Sequence, residues 1–276
     1  MVRTMMEMLL KALGLAKDLE KLKYLPRDNV GEFGVDPFGY SPDFVAKVAP
    51  VVLFLYRVYF RTQVFGIEKV PEGRVILIAN HAGQIPIDGM ILATSMMVDG
   101  PKPRMVRSMV EKWAPTLPFV SWFFARTGQV VGTPDNCLRL LQRDECIAVF
   151  PEGSRGISKP FSQRYKLVEF GHGFMRLALG ANAPIVPVAI IGGEEQLISV
   201  HNSKTVARLL GAPAFPVLPL PMVLPVRYRL YFGEPMYFRG DPDDDERKIE
   251  LKVKRVRSAL QALIHYGLRQ RRHVFW

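Results

Sequence analysis

Short segments of consecutive apolar residues alternate with helical patterns over most of the chain, and this alternation limits the possible folds most strongly. The clearest apolar segments are 75–79, 147–150 and 184–191. Between them, residues 87–97 and 168–179 carry apolar side chains at helical spacing. A strand that is apolar along its whole length is buried on both faces, so the alternation predicts an α/β fold with helices covering the sheet. The remaining predicted strands cover 104–109, 129–131 and 228–232, and the remaining predicted helices cover 113–125, 136–142 and 243–272.

The N-terminal quarter has a different pattern, and residues 1–63 are predicted to form an amphipathic helical arm with a linker. Residues 3–23 place leucines at helical spacing among charged residues, and 24–42 are rich in glycine and proline. A second, aromatic-rich helix is predicted up to about Thr62. Its side chains fit two alternatives equally, a membrane interface or packing on the core. Residues 64–276 are the predicted main domain, which ends in a basic amphipathic helix.

The composition is that of an ordinary globular protein and leaves the partner open. The chain has 276 residues, of which 49% are hydrophobic, enough for one large domain with a small addition. The formal net charge is +11, so nucleic acid and anionic membranes are both candidate partners. No sequence motif for RNA or DNA binding accompanies this charge, which makes nucleic acid the weaker candidate.

Cysteine content and apolar run lengths bear on localisation. The two cysteines, Cys137 and Cys146, fit a reducing compartment and exclude a disulfide scaffold. No run approaches the ~20 apolar residues that span a bilayer. Glu7 and Lys11 interrupt any signal-peptide core near the N-terminus. We therefore expect a cytoplasmic protein with peripheral membrane association.

A histidine follows the strand predicted at 75–79, at a position where α/β sheets place their ligands. Neutral imidazole is a competent general base near neutral pH. A nearby carboxylate can fix its tautomer and stabilise the imidazolium that forms. Asp88 is the only acidic residue within seven positions of His81, so this pair is a candidate catalytic site. A loop histidine without a catalytic role is the alternative.

A second polar segment follows the strand predicted at 147–150. It reads Phe-Pro-Glu-Gly-Ser-Arg-Gly from Phe150 to Gly156. The glycines allow close backbone approach, and the arginine offers a fork of donors for phosphate or carboxylate. If both strands are parallel, their carboxyl ends bring this segment and His81 to one edge of the sheet. Taken alone, the segment also fits a turn with a surface arginine.

Together the two segments resemble signatures of the glycerolipid acyltransferase family, of the lysophosphatidic-acid acyltransferase type. The family's Asn-His-x4-Asp signature is similar to Asn80-His81 with Asp88. Its Phe-Pro-Glu-Gly-Thr-Arg signature is similar to 150–155, with serine in place of threonine. Its Val/Ile-Pro-Val strand is similar to 185–188, and the resemblance covers roughly residues 70–240.

The resemblance implies a mixed, largely parallel sheet flanked by helices, and an O-acyltransferase. His81 would be the general base on an acceptor hydroxyl, with Asp88 orienting it. The donor would be acyl-CoA or acyl-carrier protein, with no cofactor or metal required. The acceptor would be a hydroxyl of a lysophospholipid or a neutral glycerolipid at a membrane surface. The residues expected to bind substrate are Asn80, Arg107, Glu152, Gly153, Ser154 and Arg155, with Glu152 and Arg155 positioning the acceptor head group.

The sequence departs from the family pattern at two places. Six residues separate His81 from Asp88 where the family has four, so two residues must loop out for the pair to meet. Pro134 aligns with the family's phosphate-binding arginine, and Arg107 and Arg126 are the candidate replacements. We therefore expect an acceptor with less negative charge than lysophosphatidic acid.

The longer spacing also leaves open a second class of function, a non-catalytic homologue that binds lipid or acyl donor. The distance between the His81 ring and the Asp88 carboxylate separates the two classes. The uncharged, proline-rich segment 211–225 is expected to be a buried loop, to face a membrane or to line an acyl-chain groove. The basic C-terminal helix is expected either to be solvated or to contact an anionic leaflet.

Overall fold

The computed structural model describes residues 12–81, 85–113, 116, 118–203 and 216–275. Its helices cover both faces of a central sheet. The strands are β1 (Gln63–Phe65), β2 (Val75–Ala79), β3 (Val106–Val110), β4 (Val130–Val131), β5 (Cys146–Val149), β6 (Ile185–Ile191), β7 (His201–Asn202), β8 (Pro216–Val217) and β9 (Arg229–Phe232). The α-helices are α1 (Ala16–Lys21), α2 (Pro42–Phe54), α3 (Ile87–Val98), α4 (Val120–Arg126), α5 (Pro134–Gln142), α6 (Ser154–Ile157), α7 (Gly173–Gly180) and α8 (Glu246–Gln270).

Seven of the described strands form the central sheet, in the order β1-β9-β6-β2-β5-β3-β4. Neighbouring strands are parallel except β6 and β9, which are antiparallel. The α/β fold with a mixed, largely parallel sheet flanked by helices is therefore confirmed. Because β2, β5 and β6 run in the same direction, the segments that follow them leave the same edge of the sheet. This edge carries the candidate site.

The central strands are buried on both faces, as their uninterrupted apolar sequences predict. Every residue of β2 and β6 is buried. On one face Leu77 lies in a hydrophobic cluster with residues of α2 and α3. On the other face Ile76 and Ile78 lie in a cluster with residues of α7 and α8. Burial of each such side chain contributes about 1.5–3 kcal/mol relative to exposure.

The N-terminal segment packs against this core. Part of the helix predicted at 3–23 lies outside the described residues, and the described part contains the short α1, followed by a 3₁₀ helix at Leu22–Tyr24. α2 begins after Ser41, whose hydroxyl caps its first turn. Its inner face is buried, whereas Val51 and Phe54 on its outer face are 66% and 41% exposed. α2 therefore has both a core face and an exposed apolar face.

Two helices begin well after their predicted first residues. The helix expected over 113–125 is described only from Val120, just after Pro118, which cannot donate a backbone hydrogen bond. The helix expected over 168–179 begins only at Gly173. The sequence does not predict β1, because its three residues form no apolar run.

The long C-terminal helix is amphipathic, and its apolar stripe packs on the sheet. The side chain of Asp245 caps α8, and the helix contacts β6 extensively. Its buried apolar residues recur every three to four positions, at Ile249, Val253, Val256, Leu260 and Ile264. Within the described ranges, no helix combines the length and apolar character that crossing a bilayer requires.

Candidate active site

His81 is the second residue after β2. Its Nδ1 lies 2.8 Å from Oδ2 of Asp88, and the Phe150 ring lies against the imidazole at a centroid distance of 4.4 Å. The Asp88 side chain is fully buried, whereas that of His81 exposes 14% of its surface. A carboxylate only accepts hydrogen bonds, so the proton lies on Nδ1 and the neutral ring keeps a lone pair on Nε2. Within the described residues, no hydrogen bond engages Nε2.

The longer spacing does not keep the two side chains apart. Asp88 lies in the first turn of α3, where its Oδ1 accepts the backbone N–H of Gly89 at 2.8 Å. Residues 82–84 of the intervening segment lie outside the described residues. The contact between His81 and Asp88 is the one that separates the two functional classes, and its length is within the hydrogen-bond reach that a catalytic pair requires.

Asn80, which was expected to bind substrate, has its side chain engaged within the fold. Its amide nitrogen donates to the carbonyl of Ile190 at 2.9 Å, and its Oδ1 accepts the Ile190 N–H at 2.8 Å. Both groups are buried, and together they extend the pairing of β2 with β6 beyond Ala79. Asn80 therefore fixes the backbone that leads into His81.

Glu152 is likewise an internal partner, because its side chain is almost fully buried. Oε1 accepts the backbone N–H of His81 at 3.2 Å. Oε2 accepts the backbone N–H of Val168 at 2.9 Å and a hydrogen bond from Lys159 Nζ at 3.3 Å. The structure thus brings Glu152 to His81, but as a support for its backbone and not as a group that faces an acceptor head group.

Lys159 is a buried cation that the sequence patterns do not reveal. Its Nζ lies 3.3 Å from Glu152 and 3.2 Å from Oε1 of Glu194, so it joins the segments that follow β5 and β6. Burial raises the pKa of Glu194 to about 7, and the charge of Lys159 limits the increase. Gly156 allows the close packing here, since a Cβ on it would lie 2.5 Å from the Cβ of Glu152.

The turn after β5 approaches a second carboxylate, which sequence reasoning also missed. Gly153 has φ +56°, and a Cβ on it would lie 2.9 Å from Oε1 of Glu111. The backbone N–H of Ser154 donates to the same oxygen at 2.6 Å. Arg155 is exposed and donates to the carbonyl of Glu169 at 3.3 Å. The position of Glu111, directly after β3, is the sequence signal that could have identified it.

The carboxylates of the site control the protonation of His81. Burial, the largest single influence, lowers the pKa of the imidazole. The charge of Asp88 and its hydrogen bond, followed by the charges of Glu152 and Glu111, act in the opposite direction. Their sum exceeds the effect of burial, so the pKa of His81 lies above its usual value. The site therefore favours the imidazolium that forms when the ring accepts a proton.

Comparisons with known proteins identify the family. A family model described as Acyltransferase matches residues 61–191. The crystal structure of the 1-acyl-sn-glycerophosphate (LPA) acyltransferase PlsC from Thermotoga maritima superposes with a TM-score of 0.54 at 20% identity, over 83% of this chain and 82% of that one. The chain belongs to the acyltransferase family. This result confirms the resemblance that the two sequence signatures indicated.

More similar relatives of this acyltransferase occur in mycobacteria. A Mycobacterium tuberculosis protein described as uncharacterized is 36% identical over 268 residues, which are 92% of this chain and 75% of that protein. A human protein described as "DGAT1/2-independent enzyme synthesizing storage lipids" is 27% identical over 204 residues. The match covers 73% of the acyltransferase chain and 60% of the human protein.

Arg107, which was expected to bind substrate, lies away from the histidine of this acyltransferase. In the register of the sheet, Arg107 of β3 lies beside Ile147 of β5, and Ile147 lies beside Ile76 of β2. Ile76 precedes His81 by five residues, or about 16 Å of strand at ~3.3 Å per residue. The Arg107 side chain is almost fully buried and donates to Asp36 at 2.7 Å. It therefore anchors the predicted linker to the sheet.

Arg126, the other candidate phosphate-binding cation of the acyltransferase, and Pro134, which aligns with the family's arginine, both have structural roles. Arg126 ends α4, and its guanidinium lies 6.0 Å from the centre of the Trp122 ring. Pro134 is the first residue of α5, which the Thr133 hydroxyl caps. Proline suits a first helical position because the N–H it lacks has no partner there. Proline in place of the family's arginine at position 134 is therefore suited to the first residue of a helix.

Proposed function

We propose that the protein transfers a fatty acyl group from a thioester donor, acyl-CoA or acyl-carrier protein, to a hydroxyl of a glycerolipid. The observation that carries the proposal is the 2.8 Å contact between Nδ1 of His81 and Asp88. This contact leaves the lone pair on Nε2 for the acceptor. Membership of the acyltransferase family supports the reaction class.

In the proposed reaction, Nε2 of His81 takes the proton of the acceptor hydroxyl while its oxygen bonds to the thioester carbonyl carbon. Asp88 stabilises the imidazolium through Nδ1. The tetrahedral intermediate then collapses and the carbon–sulfur bond breaks. The imidazolium proton passes to the departing thiolate, so the products are an ester and a thiol. No acyl-enzyme forms.

The charges around the imidazole favour an acceptor without a phosphate group. Three carboxylates contribute negative charge there, namely Asp88, Glu152 and Glu111. Arg107 is paired within the fold, and Pro134 stands where the family has its phosphate-binding arginine. We therefore expect the hydroxyl of a monoacylglycerol or diacylglycerol to be the better acceptor. The description of the human relative, which names storage lipids, supports this choice.

A thiol-release assay tests the reaction and the acceptor together. We expect release from acyl-CoA or acyl-carrier protein to be faster with monoacylglycerol or diacylglycerol than with lysophosphatidic acid. His81→Ala is expected to lower the rate by about 10² or more, the scale of a missing general base.

His172→Ala is the matched control for this assay, because His172 pairs with Glu250 between α7 and α8 and has no proposed role. Unchanged release by His81→Ala would remove that residue from the mechanism. Faster acylation of lysophosphatidic acid would overturn the assignment of a neutral acceptor.

We also propose that an exposed apolar face formed by α2 and α4 rests on the lipid surface. Its side chains are 41% to 89% exposed and comprise Val51, Phe54, Phe119, Trp122 and Phe123. The Phe44 ring of α2 lies 4.9 Å from that of Trp122, so the two helices share one surface. Aromatic side chains favour membrane interfaces. This face supports a peripheral mode of binding.

Liposome flotation at low and high salt tests this face. We expect binding that persists at high salt and weakens in Trp122→Ala, because apolar insertion is not screened. Tyr237→Ala is the control, since this exposed tyrosine lies outside the α2–α4 face. Binding that disappears at high salt would instead assign the contact to the basic α8.

A further inference from the structure

A cavity of about 420 Å³ lies between the outer strands β1 and β9 and the end of α8. Three arginines line it, Arg227, Arg229 and Arg272. None of the described residues that line it is acidic. The cavity is separate from the acyltransferase site and has the opposite charge.

The arginines of this cavity lack carboxylate partners in the part of the chain that the structure describes. Arg229 is buried, and its Nη1 contacts only the backbone carbonyl of His273, at 3.3 Å. Nε of Arg227 is also buried and has no hydrogen-bond partner there. Burial, followed by repulsion from Arg227, lowers the pKa of Arg229. By contrast, the neighbouring Arg271 donates to Glu195 at 2.7 Å.

A buried charge without a partner destabilises the folded protein. A cavity lined by several arginines is therefore suited to binding an anion. Guanidinium groups match phosphate oxygens through paired hydrogen bonds. Aromatic rings form another wall of the same cavity. Phe65 and Tyr231 stack at 4.8 Å, and Tyr266 meets Tyr231 edge-on at 5.6 Å. Such a wall can hold the organic part of a phosphate-bearing ligand.

We propose that this cavity binds a phosphate group carried by an organic molecule. Arg229 pairs with Ile191 at the end of β6, so the cavity lies toward the same sheet edge as His81. β9 is two strands from β2, which corresponds to about 10 Å across the sheet. Two ligands carry this chemistry: the nucleotide end of coenzyme A, which is a donor in the proposed reaction, and the head group of an anionic phospholipid of the membrane. The assignment of either molecule as the ligand depends on the proposed function, whereas the proposal of an anion site does not.

Calorimetric titration of the full chain with coenzyme A, with short-chain phosphatidic acid and with inorganic phosphate tests the site. We expect one organic phosphate to bind more tightly than inorganic phosphate. Arg272→Gln is expected to weaken that binding by roughly tenfold or more, the scale of a lost charge-assisted hydrogen bond. Arg229→Gln is expected to weaken it at least as much.

Arg269→Gln is the matched control, because it removes the same charge from an exposed position of the same helix outside the cavity. Arg272 is exposed, so its variant tests the site even if the buried Arg229 variant unfolds. Tighter binding of coenzyme A would identify the donor carrier, and tighter binding of phosphatidic acid would identify a lipid head group.

Three results would overturn the proposal: no binding of any of the three compounds, binding of inorganic phosphate as tight as that of either organic compound, or unchanged affinity in Arg272→Gln. We expect His81→Ala to retain ligand binding. A failure of the catalytic mechanism would therefore be distinguishable from a failure of this site.

Discussion

Lys159 and Arg229 are both buried cations near the same edge of the sheet, but their surroundings differ. Lys159 lies 3.3 Å from Glu152 and 3.2 Å from Glu194. Arg229 faces Arg227 and, among the described residues, has no carboxylate partner. A buried cation between two carboxylates ties together the segments that carry them. A buried cation beside another cation leaves its charge for a ligand.

The same separation of charge extends to the chemistry of the two regions. Carboxylates surround His81, raise its pKa and favour proton uptake from a neutral hydroxyl. Arginines surround the cavity beside β9 and favour a phosphate group. The sheet edge thus has an acidic region suited to proton transfer and a basic region suited to anion binding.

Removal of the carboxylate that faces His81 is expected to have the largest effect. In Asp88→Asn the side chain keeps its size and loses its charge, so the imidazolium loses stabilisation. We expect turnover to fall by about 10²–10⁴. Because activity needs the neutral ring and Asp88 raises the His81 pKa, we expect the acid limb of the pH–rate profile to move to lower pH.

The pH–rate profile of kcat measures both effects of Asp88→Asn. Asp135→Asn is the control, because it makes the same change at an exposed residue in the first turn of α5. A large loss of turnover with an unmoved acid limb would show that Asp88 acts through position alone. An unchanged turnover would contradict the catalytic pairing.

The sequence predicts the central sheet and the His81–Asp88 pair because both depend on local patterns. β2 and β6 are apolar throughout, and His81 is the second residue after β2. Contacts between distant loops leave no such pattern. The partner of Arg107 lies 71 residues away, so its burial against the predicted linker could not be inferred from spacing. The 35-residue separation of Lys159 from Glu194 hides the buried charge network for the same reason.

Removal of the cation from the acidic region is expected to destabilise the fold. Lys159→Met leaves Glu152 and Glu194 buried without their shared partner. We expect the free energy of unfolding to fall by about 3–5 kcal/mol, the scale of a broken buried ion pair. Denaturant unfolding measures it, with the exposed Lys166→Met as the control. Equal effects of the two substitutions would show that Lys159 contributes little to holding the segments together.

Glu194 is expected to make stability depend on pH. Its pKa is about 7 in the folded protein against a usual value of 4.5, so the folded state holds the proton more tightly. The native protein therefore loses stability from this group as pH rises from the lower value to the higher one. Glu194→Gln cannot titrate and removes this loss.

As pH rises from about 4.5 to about 7, we expect the free energy of unfolding of Glu194→Gln to increase by up to about 3 kcal/mol relative to that of the native protein. Denaturant unfolding at a series of pH values measures the difference. Lys159 and Glu152 face the same carboxyl group and are present in both proteins. Parallel stability curves for the two proteins would contradict a raised pKa.

Removal of a cavity arginine is expected to have the smallest effect on stability. Arg272 is exposed and forms no ion pair within the described ranges, so we expect Arg272→Gln to change the free energy of unfolding by less than about 0.5 kcal/mol. Sulfate, which can occupy an anion site, should raise the Tm of the native protein more than that of the variant. Lys159→Met and Arg272→Gln each remove one positive charge near the same sheet edge. If both cost the same stability and sulfate affects both proteins equally, the distinction between cations that hold the fold and cations that face a ligand is wrong.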